Sequence, residues 1–413
     1  MEIVILLIKL FVVFNVIMGL ASLCTWVERK GSALIQDRIG ANRAGAVFEI
    51  TNPFLKRFLA VHLLMGAALF LLGSGFLTVN LVSPGAAYLP GLTASIVMAL
   101  LGVGALGVAA TPHLIRGLGV LGVINTLLCD AVKAIFKEDF VPEGTSNFMH
   151  CLAPFLAVLP VFLAFAIVPL APAFELGGYQ IQPQLASIDA GILFFLAMGS
   201  IAVYGVALAG WTGNNKFSLL GGLRAAAQMI SYELAMGITI VSVILVYGTL
   251  DLAAMVDRQQ GLNWGVFTQP ISFVILFVVG MAETKRGPFD LPEAESELAA
   301  GYFTEYSGMK FLLFWLGEFA EIALFSLILV LLFFGGWHLP FVELPANSWV
   351  GALLGHLIFM GKVVFFCVLQ IVIRWTLPRF RYDQLMNLGW KVLLPLSMAN
   401  LVVYGALRVA GVF

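Results

Sequence analysis

The chain has 413 residues, 61% hydrophobic and 11% charged, with a formal charge of −1. Soluble domains carry about a quarter charged residues, so this composition excludes an ordinary soluble protein. A β-barrel is the weaker alternative, because barrel strands alternate apolar and polar residues over about ten positions and these apolar runs do not.

Ten apolar runs long enough to cross a hydrocarbon core of ~30 Å are predicted, at roughly 3–26, 58–82, 92–112, 149–172, 188–210, 230–250, 266–282, 310–335, 351–373 and 388–411. The predicted fold is an all-α polytopic membrane protein. The first run lacks a basic leader and a small-residue cleavage site, and Glu28-Arg29-Lys30 follows closely. It therefore reads as a retained span. The connections 27–57, 113–148, 211–229, 283–310 and 374–391 hold 18 of the 22 basic residues. That asymmetry predicts these loops in the cytoplasm and both termini on the outer side.

The first loop mixes charges with turn glycines from Glu28 and Arg29 to Arg43, as an anchor or a headgroup site would. In the second, Asp130, Lys133, Lys137, Glu138 and Asp139 alternate with apolar residues at helical spacing, which predicts a membrane-surface helix ended by Pro142 and Gly144. Glycine and asparagine crowd residues 210–222, and a helix is expected to start near Ser218 or just before Arg224. Glu233 then lies about 14 Å beyond Arg224 at ~1.5 Å per residue. An intramembrane carboxyl there is expensive and points to function before packing.

Residues 282–310 hold six of the 23 acidic residues: Glu283, Asp290, Glu293, Glu295, Glu297 and Glu305. Asp290, Pro292 and Glu293 predict a helix start with a capping box, which would place Glu293 and Glu297 on one face and Glu295 opposite. First-turn acids complement a helix dipole, but that explains one or two carboxylates and not six. Carboxylates this close raise one another's pKa toward neutrality, as a proton relay requires. Glu318 and Glu321, three apart, share a face of the next helix. Lys362 stands in the middle of the ninth run as a candidate ion-pair partner for Glu321 or another acid. The run from Arg374 to Asp383 reads as a basic anchor.

Cys24, Cys129, Cys151 and Cys367 are scattered, and no phosphate-binding glycine motif follows a strand. Neither an iron–sulfur cluster nor flavin is expected in this chain, and no metal site.

The runs AETKRGPFDLPEAESELAAGYFTEYSGMK, GWTGNNKFSLLGGLRAAAQMISYE and RWTLPRFRYDQLMNLGWKVLLP together resemble the H subunit of bacterial NADH–quinone oxidoreductase, the counterpart of mitochondrial subunit 1 of respiratory complex I. The likeness covers residues 1–45 and 118–413. It implies an eight-span core whose cytoplasmic face helps form a quinone chamber with peripheral subunits, and an acidic path from that chamber toward the ion-translocating membrane subunits. Carried over by motif, Glu233, Glu283, Asp290, Glu293, Glu295, Glu297 and Glu318 fall on the proton path. Glu28, Arg29, Asp130, Lys133, Arg224 and Glu305 fall in the chamber. Ubiquinone or menaquinone, other complex I subunits and the lipid bilayer of the bacterial inner membrane are the implied partners, with no nucleic acid.

The sequence departs from the family pattern at Gly40-Ala41-Asn42-Arg43-Ala44-Gly45 and at Ile124-Asn125. Residues 47–117 read as an inserted two-span hairpin between a first segment, 1–46, and a seven-span segment, 118–413. Two alternatives stand beside this reading. One is the matching subunit of a membrane-bound hydrogenase or formate hydrogenlyase, and the other is a stand-alone cation transporter, for which no internal repeat is found.

Overall fold

The computed structural model describes residues 2–37, 130–176, 179–340, 345 and 348–411. The predicted runs 58–82 and 92–112, and the boundaries at 46 and 117, lie outside these residues. The helices are α1 (Glu2–Ile35), α2 (Asp130–Phe136), α3 (Asn147–Phe165), α4 (Gly191–Thr212), α5 (Lys216–Tyr247), α6 (Leu252–Asp257) and the single turn α7 (Gly265–Thr268). They continue with α8 (Pro270–Glu283), α9 (Glu295–Leu298), α10 (Gly308–Phe333) and α11 (Trp349–Thr376). At the end α12 (Tyr382–Asn387) runs through a π-helical turn, Leu388–Leu393, into α13 (Leu394–Val409). A two-stranded antiparallel hairpin, β1 (Phe174–Leu176) and β2 (Tyr179–Ile181), pairs Phe174 with Ile181.

Among the described residues seven segments are long and apolar enough to cross a membrane, and α8 is a shorter apolar helix. Each of the eight predicted runs in this part of the chain is a helix. The chain is an all-α polytopic membrane protein.

Local chemistry sets the helix ends. Asn215 caps α5, its side chain accepting from the Phe217 amide at 3.0 Å. The helix therefore starts at Lys216, well before the apolar run at 230, and ends against Gly248 in the left-handed conformation that glycine adopts without strain. Ser348 caps α11 by accepting from Val350 N. Pro270 opens α8, where a missing N–H is harmless. Pro395 cannot donate back to Lys391, and the π turn precedes it.

α10 forms the centre. Residues 322–333 are all buried, and the helix packs against α1, α3, α8 and α11. α5 packs between α4, α8 and α13. Small residues allow these close crossings, as is usual where lipid gives helices no hydrophobic reason to associate. A Cβ on Gly280 of α8 would fall 1.7 Å from the Phe325 ring of α10. One on Gly205 of α4 would fall 2.4 Å from the Ala157 amide of α3.

The helix expected to start at Asp290 does not form. Only Glu295–Leu298 is helical, and Ala294, not Asp290, precedes it. The segment from Thr284 to Ala294 is instead an irregular and largely buried run, with a cis peptide between Gly287 and Pro288. Asp290 fails as a cap because Arg379 takes its carboxylate at 3.0 Å.

Candidate functional site: a buried acid–base cluster

The irregular run is held by α5 and by the loop that follows α11. Gln228, fully buried on α5, donates to the carbonyls of Ala282 at 2.8 Å and Phe289 at 2.9 Å. Phe289 stacks on Phe380 with ring centres 5.4 Å apart, and Phe380 N donates to Pro288 O. This fastening points two consecutive cations, Lys285 and Arg286, inward, where each is about 95% buried.

The two cations meet the two acids of α10. Lys285 Nζ lies 3.3 Å from Glu321, and Arg286 lies 2.6 Å from the Glu318 carboxylate, side by side because the acids are three residues apart. Arg286 also reaches Glu28 of α1 at 4.0 Å and lies 4.6 Å over the Phe319 ring. Glu28 in turn accepts from Arg374 of α11 at 2.6 Å. Tyr302 donates to Glu318 at 2.7 Å. Burial, then the charge of Glu318, holds the Tyr302 phenol well above its ordinary range, so it stays a neutral donor.

Burial alone would lower Lys285, but Glu321, Glu318 and Glu283 around it win and hold it above its ordinary value. The same balance, led by Glu318, raises Arg286. Asp290 is pushed up by burial despite the opposing charges of Arg374, Arg379 and Arg286. Glu293 rises well above the usual carboxylate range through burial and then the Glu318 charge, with Arg286 only partly opposing. Its Oε1 is buried without a hydrogen-bond partner among the described residues.

An acid whose folded-state pKa is raised contributes stability that is full below the unfolded value, about 4.3, and lost as pH rises through the folded value. Glu293→Gln removes that titration. The stability of the native protein relative to this variant is therefore expected to fall as pH rises from about 5 to 8. Thermal unfolding across that range checks it, and a constant difference would contradict it.

Three cavities run among these groups. The first, about 40 Å³, is lined largely by apolar side chains of α3, α4 and α10, with Glu283, Thr284 and Glu321 in its wall. It shares Glu321 with a second of about 10 Å³ that touches Lys285, Tyr302 and Glu318. It shares Thr284 with a third of about 10 Å³ against Glu28, Arg286 and Arg374. A water needs about 10–15 Å³, so the first cavity has room for more than one and each of the other two for one at most. Glu283 is 8% exposed, and neither of its carboxyl oxygens has a hydrogen-bond partner among the described residues. Glu233, half-buried on α5, accepts a hydrogen bond from Ser200 of α4.

The remaining predicted residues lie in smaller groups. Arg29 pairs with Asp130 at 2.6 Å, and both line an open groove of about 320 Å³ with Lys133, Phe311 and Trp315. The surface helix is present at Asp130–Phe136 with no buried residue. Arg224 pairs with Glu297 at 2.7 Å, half-exposed. Glu305 accepts from Asn215 at 2.8 Å. The side chain of Glu295 lies outside the described residues. Glu293 and Glu297 do not share a helical face, because Glu293 precedes the short helix.

Lys362 does not pair with Glu321, whose cation is Lys285. Its ammonium donates to the carbonyls of Phe334 at 2.7 Å, Gly336 at 2.9 Å and His338 at 2.6 Å, and sits 4.4 Å over Trp264. The carbonyl end of α10, with its partial negative charge, supplies what an acid would have supplied. Lys362→Met is expected to destabilise the protein by at least 1.5–3 kcal/mol, roughly one charge-assisted bond, and to leave the Lys285–Glu321 pair intact. Thermal unfolding of the variant measures this, and an unchanged midpoint would contradict it.

Arg374 and Arg379, which read as a basic anchor, reach into the cluster instead. The cations Lys285 and Arg286, with Gln228, Ser200 and Tyr302, are neighbours of the acids that the sequence did not single out. The usable signal was the Lys-Arg pair inside the acid-rich run, two cations where carboxylates need partners.

The NADH dehydrogenase family model matches residues 116–405. Over 395 residues, 95% of this chain and 94% of the relative, the chain is 36% identical to an H subunit of the NADH-quinone oxidoreductase of Cytophaga hutchinsonii. It is 48% identical over 276 residues to the H subunit of the NADH-quinone oxidoreductase of Protochlamydia amoebophila, covering 67% of this chain and 81% of that one. It is also 48% identical over 285 residues to NADH-quinone oxidoreductase subunit 8 of Rhodothermus marinus, covering 66% and 81%.

Proposed function

Because the chain belongs to the NADH dehydrogenase family, as a relative of the H subunit of NADH-quinone oxidoreductase, we propose that it couples quinone reduction to proton translocation through its buried acid–base cluster. Membership makes it a membrane subunit of a complex I enzyme with other complex I subunits as partners. The observation that carries the finer reading is the run of water-sized cavities with Glu283, Glu321, Glu318 and Glu28 in their walls. Carboxyl groups separated by such spaces can pass protons without moving backbone.

The cluster's charges are balanced so that small changes move protons. Arg286 and Lys285 hold Glu318 and Glu321 as paired carboxylates, while Glu293 and Asp290, both raised, stand at the loop end. A change in charge on the loop alters how Arg286 divides its field between Glu318, Glu293 and Glu28. A proton then shifts toward Glu283, from which Glu233 carries it outward.

The groove of Arg29, Asp130 and Lys133 suits a quinone, since charged donors stand beside the apolar walls of Phe311, Leu312 and Trp315. When bound, a quinone accepts electrons delivered by peripheral subunits and takes up protons. Here Arg29 and Lys133 would orient its oxygens, while Arg224 and Glu305, which do not line this groove, would stand at the face shared with those subunits. In this reading the redox groups belong to the partners. The cluster faces the cytoplasm of a bacterial inner membrane, and small membrane subunits continue the path.

Glu233→Gln tests the relay in the assembled complex. Quinone-linked proton pumping and turnover are expected to fall while the subunits assemble normally. Unchanged turnover with unchanged proton stoichiometry would remove Glu233 from the path.

A further inference from the structure

Four basic residues lie outside the basic loops: Lys9, Arg258, Lys362 and Arg408. Lys362 is accounted for by the carbonyl end of α10. Arg258, just past α6, and Arg408, on α13, converge on one point. A Cβ placed on Gly248, the residue that ends α5, would lie 3.5 Å from Arg258 Nη1 and 3.4 Å from Arg408 Nη2. The two guanidinium nitrogens are thus within about 7 Å of each other.

Such a juxtaposition is repulsive unless something negative relieves it. Neither guanidinium has an ion pair or hydrogen bond among the described residues. The acids closest in sequence do not pair with them among the described residues: Asp251 accepts from the amides of Ala253 and Ala254, and Asp257 is largely exposed, 3.9 Å from His338.

Position narrows the missing anion. Gly248 stands twenty residues along from Gln228, about 30 Å at ~1.5 Å per residue, which is about the thickness of a hydrocarbon core. It therefore sits at the membrane interface opposite the acidic loop. Tyr404, one turn before Arg408, donates to Thr268 O at 3.2 Å and ties α13 to α7, as tyrosines do at headgroup level. On the helices below, Val402 and Val403 of α13 and Ile271 and Val274 of α8 are exposed. Arginine forks suit phosphate, and two charge-assisted bonds of about 2.8 Å to different oxygens of one phosphate bridge the two guanidiniums.

We propose that Arg258 and Arg408 clamp the phosphate of one anionic phospholipid at the glycine end of α5, its acyl chains lying along α13 and α8. The site lies a membrane thickness from the acid cluster and is independent of the coupling reading. The lipid fastens the end of α6 to α13 where two like charges would otherwise push them apart.

The test uses the assembled complex carrying either the native chain or Arg258→Gln/Arg408→Gln. Native mass spectrometry after detergent washing should find one fewer retained anionic phospholipid in the variant. Added phosphatidylglycerol should raise the unfolding midpoint of the native complex and do so at most half as strongly in the variant, with phosphatidylcholine inert in both. Equal retention and equal shifts would overturn the proposal, as would inorganic phosphate reproducing the shift, because the site would then hold a free anion. If the variant fails to assemble, photoactivatable phosphatidylglycerol on the native complex decides. Labels on residues 252–258 and 402–411 support the site, and labels only elsewhere, as when a partner's carboxylate covers the arginines, overturn it.

Discussion

Arg286→Met is expected to cost the assembled subunit most of its stability, about 3–5 kcal/mol, the usual penalty for removing one partner of a buried ion pair. Arg286 is 5% exposed and serves Glu318 at 2.6 Å and Glu28 at 4.0 Å, with Glu293 in its field. Its loss leaves carboxylates in a site with little water to solvate them. Neither Lys285, committed to Glu321, nor Arg374, committed to Glu28, is free to replace it. The double variant Arg286→Met/Glu318→Gln should recover part of the loss, because the removed cation and the removed anion then cancel. Complex yield and unfolding midpoints for the two single variants and the double form a cycle that isolates the pair. Strictly additive effects would contradict the pairing.

The fold was largely legible in the residues, because apolar runs separated by basic loops leave few arrangements in a bilayer. Helix ends were less so. The helix holding Glu233 begins at Lys216, close to the expected start at Ser218, because Asn215 caps it, a signal that lies outside the hydrophobic pattern. The acidic loop was legible as important and misread in conformation. Asp290, Pro292 and Glu293 have the local grammar of a helix start, but Arg379 claims the Asp290 carboxylate and Gln228 claims the carbonyls of Ala282 and Phe289. Tertiary partners outweighed a local preference worth only ~1 kcal/mol.

The partners of the acids were the least legible. Spacing could place Glu318 and Glu321 side by side, since three residues on one helix fix that. Nothing local says that Lys285 and Arg286, more than thirty residues earlier, fold back onto them. Lys362 shows the converse. A lysine in an apolar run invites an acidic partner, whereas the exposed carbonyls at the end of α10 meet its charge without one. Backbone acceptors carry no sequence signature.

The proposed coupling path stands most directly on Glu283. It is buried, both carboxyl oxygens lack partners among the described residues, and it shares a cavity wall with Glu321 and Thr284. Glutamine matches its shape and cannot carry a proton through that cavity. The decisive measurement is the number of protons translocated per NADH oxidised by the assembled complex in sealed proteoliposomes, with Glu283→Gln against the native chain. Normal assembly with pumping and quinone-linked turnover reduced by roughly tenfold or more is the expected result. Normal assembly with native turnover and native proton stoichiometry would contradict a proton path through this cluster.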